Sequence, residues 1–245
     1  MSTSTADVND EVSYEQQTEL SRQIGCKGWD KALAILEAQP HLAKVWVVTQ
    51  YRGGVLVEDN TNGSDITVWY RRLPLHHACS AKSVPVSFIQ ALLQAYPEAL
   101  LLQDETGKVP LIHACQRGAS LDVIKAVLTE ETATAPDKEG KCALHWACEY
   151  KADKTKIQHL VEAAPAILEL RDIYGRLPLH WECAILSFRK EKMAVVSYLV
   201  EQYPAAVSVR DSDGCTPAQM IDVGNVLELL KKTEASLSSE KADEA

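Results

Sequence analysis

Apolar residues recur at helical spacing in four segments of the chain. Leu, Ile and Val stand three and four residues apart in residues 86–95, 121–128, 156–163 and 194–201, a spacing that places them on one face of an α-helix. A proline follows three of these segments, at Pro97, Pro165 and Pro204. The pattern predicts four amphipathic helices, most of them ending before a return loop.

A shorter segment precedes each of these helices and is nearly the same string each time. The copies are LPLHHAC (73–79), VPLIHAC (109–115), CALHWAC (142–148) and LPLHWEC (177–183), with a divergent fifth copy, TPAQMID (216–222). The position of the proline recurs at steps of 36, 33, 35 and 39 residues, which is typical of a helical solenoid. Because proline suits the first turn of a helix, each string predicts a short first helix.

An Asp-x-x-Gly tetrapeptide stands six residues before the proline position in the last four units, at residues 104–107, 137–140, 172–175 and 211–214. Asp can bond the backbone two residues further on, and Gly accepts a positive φ, so the tetrapeptide favours a tight turn. The pattern therefore predicts a unit made of a turn, a first helix, a second helix and a return loop.

This unit resembles the ankyrin repeat, whose signature is a turn Asp and Gly followed by Thr-Pro-Leu-His-x-Ala. The resemblance covers roughly residues 69–232 and implies an all-α solenoid of stacked helix-turn-helix repeats. We expect an ankyrin repeat domain over residues 13–232. Its parts are a degenerate N-terminal cap (13–42), an inserted β finger (43–72), repeats 1 to 4 (73–103, 104–136, 137–171 and 172–210) and a C-terminal cap (211–232). The Tyr-Pro-Glu-Ala ends and the cysteines of the strings also resemble the large ankyrin families of diatoms and related algae.

Two stretches interrupt the repeat period. Residues 44–51, 55–59 and 65–70 are rich in β-forming residues and are separated by turn signals, which predicts a β-hairpin or a three-stranded finger. Residues 187–192 lengthen the turn between the two helices of repeat 4. Either insertion could bind a partner or be tolerated loop growth. The polar ends, residues 1–12 and 233–245, are predicted to be disordered.

The overall charge narrows the class of partner. A formal net charge of -9 disfavours nucleic-acid binding, which depends on clustered Lys and Arg, and favours a partner with a basic surface. No apolar run approaches the roughly 18 residues of a membrane span and no secretory signal pattern is present, so we expect no membrane insertion and a cytoplasmic location. The seven cysteines are expected to be free thiols in a reducing compartment, and the chain is expected to be a monomer.

Three of the strings place a histidine and a cysteine three residues apart, at His76 and Cys79, His145 and Cys148, and His180 and Cys183. One such pair could be half of a zinc site. Stacked helices, however, lie about 10 Å apart, whereas zinc ligands lie about 2.0 to 2.3 Å from one ion. The family resemblance implies a structural histidine that ties its turn to a neighbouring repeat. We favour packing, keep metal or redox binding as a minor alternative, and predict no cofactor.

The resemblance also implies where a partner binds, namely along the concave side, on the tips of the turns and on the first helices. Residues that fall at the tips of the turns include Lys138, Glu139, Lys141 and Ile173. Aromatic residues and Arg are the usual interface hot spots. The predicted protein-binding residues are Trp69, Tyr70, Arg72, Lys108, Arg117, Tyr150, Tyr174 and Arg176. For Trp146 and Trp181 we favour packing between repeats, and Glu182 is either a solvated distortion or a feature of the site.

Known catalytic and phosphate-binding motifs are absent from the sequence, so an enzyme is not predicted. The predicted function is a non-enzymatic scaffold or adaptor that binds a partner protein. The algal resemblance implies an alternative, a scaffold on the cytosolic face of a vesicle or of a mineral-forming (silica) compartment.

Overall fold

The computed structural model describes residues 11–13, 18–51, 68–184, 192–221 and 224–243. These residues form a stack of short antiparallel helix pairs that begins beside a small sheet. The strands are β1 (Glu11–Ser13), β2 (Trp46–Tyr51) and β3 (Val68–Arg72). The helices are α1 (Glu19–Gly25), α2 (Trp29–Ala38), α3 (Pro74–Cys79), α4 (Val86–Ala95), α5 (Pro110–Arg117), α6 (Leu121–Val127), α7 (Glu130–Thr134), α8 (Ala143–Glu149), α9 (Lys154–Ala163), α10 (Pro178–Ala184), α11 (Lys192–Gln202) and α12 (Gly224–Asp243). Short 3-10 helices follow several of them, at Pro40–Lys44, Pro97–Leu100, Pro165–Leu168, Pro204–Ser208 and Pro217–Met220.

The repeated strings form the first helix of each repeat, as the sequence predicts. In α5, Pro110 is the first helical residue, where its missing N–H costs no hydrogen bond. The same helix ends at Gly118, whose φ of 67° is left-handed and therefore favours glycine. The predicted all-α repeat fold with a β-hairpin near its N-terminal end is confirmed.

The core is one continuous layer that runs the length of the stack. The first helices α3, α5, α8 and α10 pack each against the next, and the second helices α4, α6, α9 and α11 do the same. Fully buried residues such as Leu75, Leu111 and Leu144 occupy one column of the repeated strings. Each repeat therefore buries its apolar face against its neighbours rather than around a common centre.

Successive turns are joined by backbone hydrogen bonds. The N–H of Lys138 donates to the Thr106 carbonyl (3.1 Å), that of Ile173 to the Glu139 carbonyl (3.0 Å) and that of Ser212 to the Tyr174 carbonyl (2.9 Å). We call this series the turn ladder. It keeps the tips of repeats 2, 3 and 4 and of the C-terminal cap in one row.

The turns also require glycine because the neighbouring turn leaves no room for a side chain. Gly107 has φ +80° and a Cβ there would lie 2.8 Å from the backbone nitrogen of Lys138. Gly140 has φ +74° and a Cβ would lie 3.0 Å from the nitrogen of Ile173. Both contacts are to the next rung of the turn ladder, so a side chain would push neighbouring repeats apart.

The N-terminal region differs in part from the prediction. Helices α1 and α2 lie within the expected N-terminal cap (13–42). Helix α1 begins at Glu19, and its N-cap Thr18 accepts from the Ser21 N–H (3.2 Å). Strand β2 pairs antiparallel with β3 and parallel with β1. Backbone pairing places residues 11 and 12, part of the tail that was predicted to be disordered, in strand β1. Residues 1–10 and the middle of the β finger, 52–67, lie outside the described residues.

The C-terminal end also departs from the prediction. Helix α12 continues to Asp243, through the residues for which disorder was predicted (233–243). Leu237 anchors this helix by packing against the core. Hydroxyls also bond carbonyls one turn back, as from Thr233 to Leu229 (3.0 Å), a contact that does not itself favour a helix. Repeat 2 likewise contains an unpredicted helix, α7, capped by Thr129, which accepts from the Thr132 N–H (3.1 Å). Most of the predicted insertion at 187–192 is outside the described residues.

Candidate functional site

Each turn is organised by the side chain of its aspartate. In repeat 2, Oδ1 of Asp104 accepts from the N–H groups of Thr106 (2.8 Å) and Lys108 (3.0 Å). Asp137, Asp172 and Asp211 make the same pair of bonds within their own turns. The carboxylate thereby fixes the turn and leaves Oδ2 free for a second role.

The second carboxylate oxygen binds a ring N–H nine residues further on. Oδ2 of Asp137 accepts from Trp146 Nε1 (2.8 Å), and Oδ2 of Asp172 accepts from Trp181 Nε1 (2.9 Å). In repeat 2 the partner of Asp104 is His113, at 2.9 Å. Sequence reasoning assigned the two tryptophans to packing and missed this pairing. The signal was present, because a ring that can donate an N–H stands nine residues after each of these aspartates.

Asp104 and His113 influence each other's protonation. Burial by itself would raise the pKa of Asp104, but hydrogen bonds from His113 and Thr106 outweigh it and hold the pKa well below its usual range. Burial lowers the pKa of His113. The pair is therefore a carboxylate that accepts the Nε2–H of a neutral imidazole.

A cationic residue stands two positions before the start of each first helix. In the stacked repeats these residues form a column beside the rings. The column is Arg72, Lys108, Lys141 and Arg176. Lys108 Nζ lies 3.8 Å from the centroid of the Trp146 ring, and Lys141 Nζ lies 4.7 Å from that ring and 3.8 Å from the Trp181 ring. Cation–π contacts at such distances are worth about 0.5 to 2 kcal/mol each. The indoles are thus covered by the protein's own ammonium groups.

Lys141, assigned from the sequence to the tip of a turn, is buried. Only 4% of its surface is exposed. Its ammonium lies 3.0 Å from carboxylate oxygens of both Glu139 and Glu149. Because two carboxylates and two aromatic rings replace water around the charge, the lysine can be buried as a cation.

The two arginines of the column are half-buried and paired. Arg72 Nε lies 3.2 Å from Asp104 Oδ2, and Arg176 Nε lies 3.4 Å from Asp211 Oδ2. Each pair joins one repeat to the turn of the next. Lys108, by contrast, forms no ion pair with any residue that the structure describes. The column therefore contributes to stacking as well as to the surface.

An apolar surface lies beside this column. Tyr150 is 46% exposed, Ile173 60% and Tyr174 48%. The Tyr150 ring packs 5.7 Å from the Trp146 ring, and the guanidinium of Arg176 lies 5.4 Å from the Tyr174 ring. We call Tyr150, Ile173 and Tyr174 the tip patch. Tyr150 is the C-cap of the first helix of repeat 3, and Ile173 and Tyr174 lie in the turn of repeat 4.

The eight predicted binding residues do not all come together. Tyr150, Tyr174, Arg176 and Lys108 lie around the two indoles of repeats 3 and 4. Arg117 is exposed at the end of α5, and Arg72 lies at the start of repeat 1. For Trp69 and Tyr70, both in β3, only the backbone is described. It pairs with that of Gln50 and Thr49 in β2.

These turns and helix pairs resemble those of a known protein family. Residues 75–167 match a family model for ankyrin repeats, with three copies. The chain contains ankyrin repeats. The matched residues hold α3 to α9, and repeat 4 extends the stack with the same turn bonds and the same Asp-to-Trp pair. Ankyrin repeats are generally modules for protein–protein interaction.

Two histidines of these ankyrin repeats, His76 and His145, are buried and hydrogen-bonded through both ring nitrogens. Nδ1 of His76 accepts from the N–H of Leu73 (3.2 Å), so Nε2 carries the proton and donates to the Leu102 carbonyl (2.9 Å). His145 bonds Cys142 and Arg176 in the same way (3.1 and 3.0 Å). Burial lowers the pKa of His76 to about 3 and that of His145 to about 4. The expected bond to a neighbouring repeat is present at His145, whose acceptor lies in repeat 4, whereas the acceptor of His76 lies at the end of its own repeat.

The cysteines of the ankyrin repeats are buried thiols. Cys79, Cys115, Cys148 and Cys183 are at most 3% exposed, and burial raises the pKa of Cys115 to about 12. Among the described residues, no three side chains of His, Cys, Asp and Glu converge in a way that could hold a metal ion.

Two further findings concern the surroundings of the site. Glu182, predicted to be either solvated or part of the site, is 1% exposed and hence not solvated. No helix in the described part of the chain has the length and apolar character needed to cross a bilayer.

Proposed function

We propose that this protein is a non-enzymatic scaffold or adaptor that binds a partner protein in the cytoplasm. The tip patch and the cation column beside it are the proposed contact surface. The ankyrin repeats support this function because modules of this kind bind proteins. The seven free cysteines are compatible with a reducing compartment.

One observation carries the proposal. The structure describes four exposed large hydrophobic residues, and three of them form the tip patch. The fourth, Leu101, follows the 3-10 helix of repeat 1. Exposed apolar side chains in neighbouring repeats, with the half-buried Arg176 beside the Tyr174 ring, are typical of an interface centre. The proposed contact is centred on Tyr150, Tyr174 and Arg176.

Of the remaining predicted residues, Lys108 borders this surface through the Trp146 ring. Arg117, Trp69, Tyr70 and Arg72 stay separate predicted contacts toward the N-terminal end. Cations and carboxylates alternate along the surface, for example Lys108, Glu139 and Arg176. A partner that presents apolar side chains flanked by charges of both signs would fit this surface.

Affinity capture from a native extract tests the proposal, using the double variant Tyr150→Ala/Tyr174→Ala. Removing two exposed aromatic side chains should reduce the yield of partner at least about tenfold, since hot-spot truncations cost about 2 kcal/mol or more. Leu101→Ala is the matched control, because it removes a similarly exposed apolar side chain outside the patch.

Circular dichroism should show the same helicity for both variants. If the double variant and Leu101→Ala capture the same proteins in the same yield as the natural chain, the tip patch is not the binding surface. The role on a vesicle or mineral-forming compartment stays a prediction, as no feature of the described residues favours it.

A further inference from the structure

A pocket lies on the opposite side of the repeats, between the second helices of repeats 3 and 4. It has a volume of about 420 Å³ and is bounded by α9, by the 3-10 helix Pro165–Leu168 and by α11. Val161, Leu168, Tyr198 and Tyr203 form its apolar and aromatic floor, and Glu162 and Glu169 stand at its rim. We call it the outer pocket. Its volume lies within the range of small-ligand sites.

The rim of the outer pocket is negatively charged and open to a ligand. Both glutamates are exposed, and neither forms an ion pair with a residue that the structure describes. The negative charge of the rim also acts on the floor of the pocket. Burial raises the pKa of Tyr198, and the charge of Glu162 raises it further. An anionic ligand would be repelled here, and a purely apolar one would gain nothing from the two carboxylates.

The Tyr198 ring already accepts a cation. Lys154 Nζ lies 5.6 Å from its centroid, while the side chain of Lys154 does not line the pocket. Lysine and arginine combine an apolar stem with a cationic end, and the stem can lie on the tyrosines while the charged group meets the two carboxylates. The net charge of -9 also attracts a basic segment from a distance.

We propose that the outer pocket binds a lysine or arginine side chain from a basic segment of a partner protein. This site goes beyond the proposed function, because it lies among second helices and shares no residue with the tip patch. A chain with both sites would hold two partners, or two parts of one partner, on opposite sides of the stack.

Comparison among the repeats supports a site specific to repeat 3. The positions that correspond to Glu162 and Glu169, counted from the proline after the second helix, are Gln94 and Leu101 in repeat 1. In repeat 4 they are Glu201 and Ser208. Only repeat 3 of these three has both carboxylates, so the pair is not a requirement of the fold.

Titration with a short peptide tests the proposal. The probe is a blocked peptide of alternating alanine and arginine, added to the ¹⁵N-labelled protein at about 0.15 M salt, with its citrulline counterpart as the uncharged probe. The arginine peptide should shift amide signals of residues 161–169 and 198–203, and the citrulline peptide should not. In Glu162→Gln/Glu169→Gln, Kd should rise about tenfold, because two charge contacts at the rim are lost.

The matched control is Asp30→Asn/Glu37→Gln, which removes two exposed carboxylates, also seven residues apart, from α2. Equal weakening in both double variants would show general attraction to an acidic protein and would overturn the proposal. So would shifts confined to other parts of the chain. Tyr150→Ala/Tyr174→Ala should bind the arginine peptide unchanged, so a failure of the tip patch and a failure of the outer pocket are distinguishable.

Discussion

The bond between Asp137 and Trp146 should contribute measurably to stability. Both residues are buried, at 7% and 6% exposure, and their 2.8 Å bond joins a carboxylate to an indole N–H. In Asp137→Asn, the side-chain oxygen can still accept from the two turn N–H groups. The new amide N–H₂ would then face the indole N–H, donor against donor. Hydrogen bonds to charged groups are worth about 1.5 to 3 kcal/mol, so we expect about 2 to 3 kcal/mol of destabilisation.

A double-mutant cycle separates the bond from other effects of each substitution. Trp146→Phe removes the donor, but it also weakens the contacts with Lys108 and Lys141, so its own cost will exceed that of the bond. The double variant Asp137→Asn/Trp146→Phe should recover about 1.5 to 2.5 kcal/mol as coupling energy. Urea unfolding followed by far-ultraviolet circular dichroism measures all four proteins, and equal slopes are required for the comparison.

Repeat 4 provides an internal control for this cycle. Asp172 and Trp181 make the same bond at 2.9 Å, but Trp181 is only partly buried. Water can replace the lost partner there, so we expect a coupling energy below about 1 kcal/mol. Coupling within about 0.5 kcal/mol of zero at Asp137 and Trp146, or equal coupling in the two repeats, would refute the argument from burial.

Three further predictions concern the turns, the histidines and the thiols. Gly140→Ala should lower the free energy of unfolding by more than about 2 kcal/mol, because this position combines a left-handed φ with a close contact to the next turn. Gly118→Ala, at φ +67° with no atom within 4 Å of the added Cβ, should cost only about 1 kcal/mol. Thermal unfolding of the two variants measures the difference. The pKa of His145 is about 4 when folded and about 6.5 when unfolded. Below pH 6.5 the unfolded chain therefore binds the extra proton, and stability should fall by about 1.4 kcal/mol per pH unit down to about pH 4. His145→Gln should remove that share of the urea-measured slope, since Gln219 accepts from Thr216 N–H at this position of the C-terminal cap (2.8 Å). In thiol labelling of the native protein, the exposed Cys26 should react first and the buried cysteines of the strings at least about 100-fold more slowly; equal rates would contradict the burial.

The sequence was sufficient to predict the repeat fold, because its signals are local and periodic. The proline positions, the Asp-x-x-Gly turns and the apolar spacing each act within one unit, and each unit repeats. The extension of the last helix beyond residue 232 was not predicted, for the opposite reason. Its polar residues resemble a disordered tail, and the contact of Leu237 with the core, which anchors the segment, is not visible in the pattern.

The candidate site could be predicted only in part. Exposure of Tyr150 and Tyr174 follows from their place in the repeat. The burial of Lys141 does not, because it depends on carboxylates from two positions and on indoles from two repeats. The pairing of Asp137 with Trp146 crosses nine residues and arises only when the turn folds back over its own helix. Residues that serve both packing and surface chemistry are therefore the ones that a periodic pattern describes least well.

The turn ladder determines how the molecule would respond to force. One backbone hydrogen bond joins each pair of successive turns, and no rung touches any but its two neighbours. Tension applied between the ends would be carried by every rung in series, and no single contact holds all the turns together. The protein should lengthen gradually under small loads, as a spring does, and should then lose whole repeats one at a time from an end.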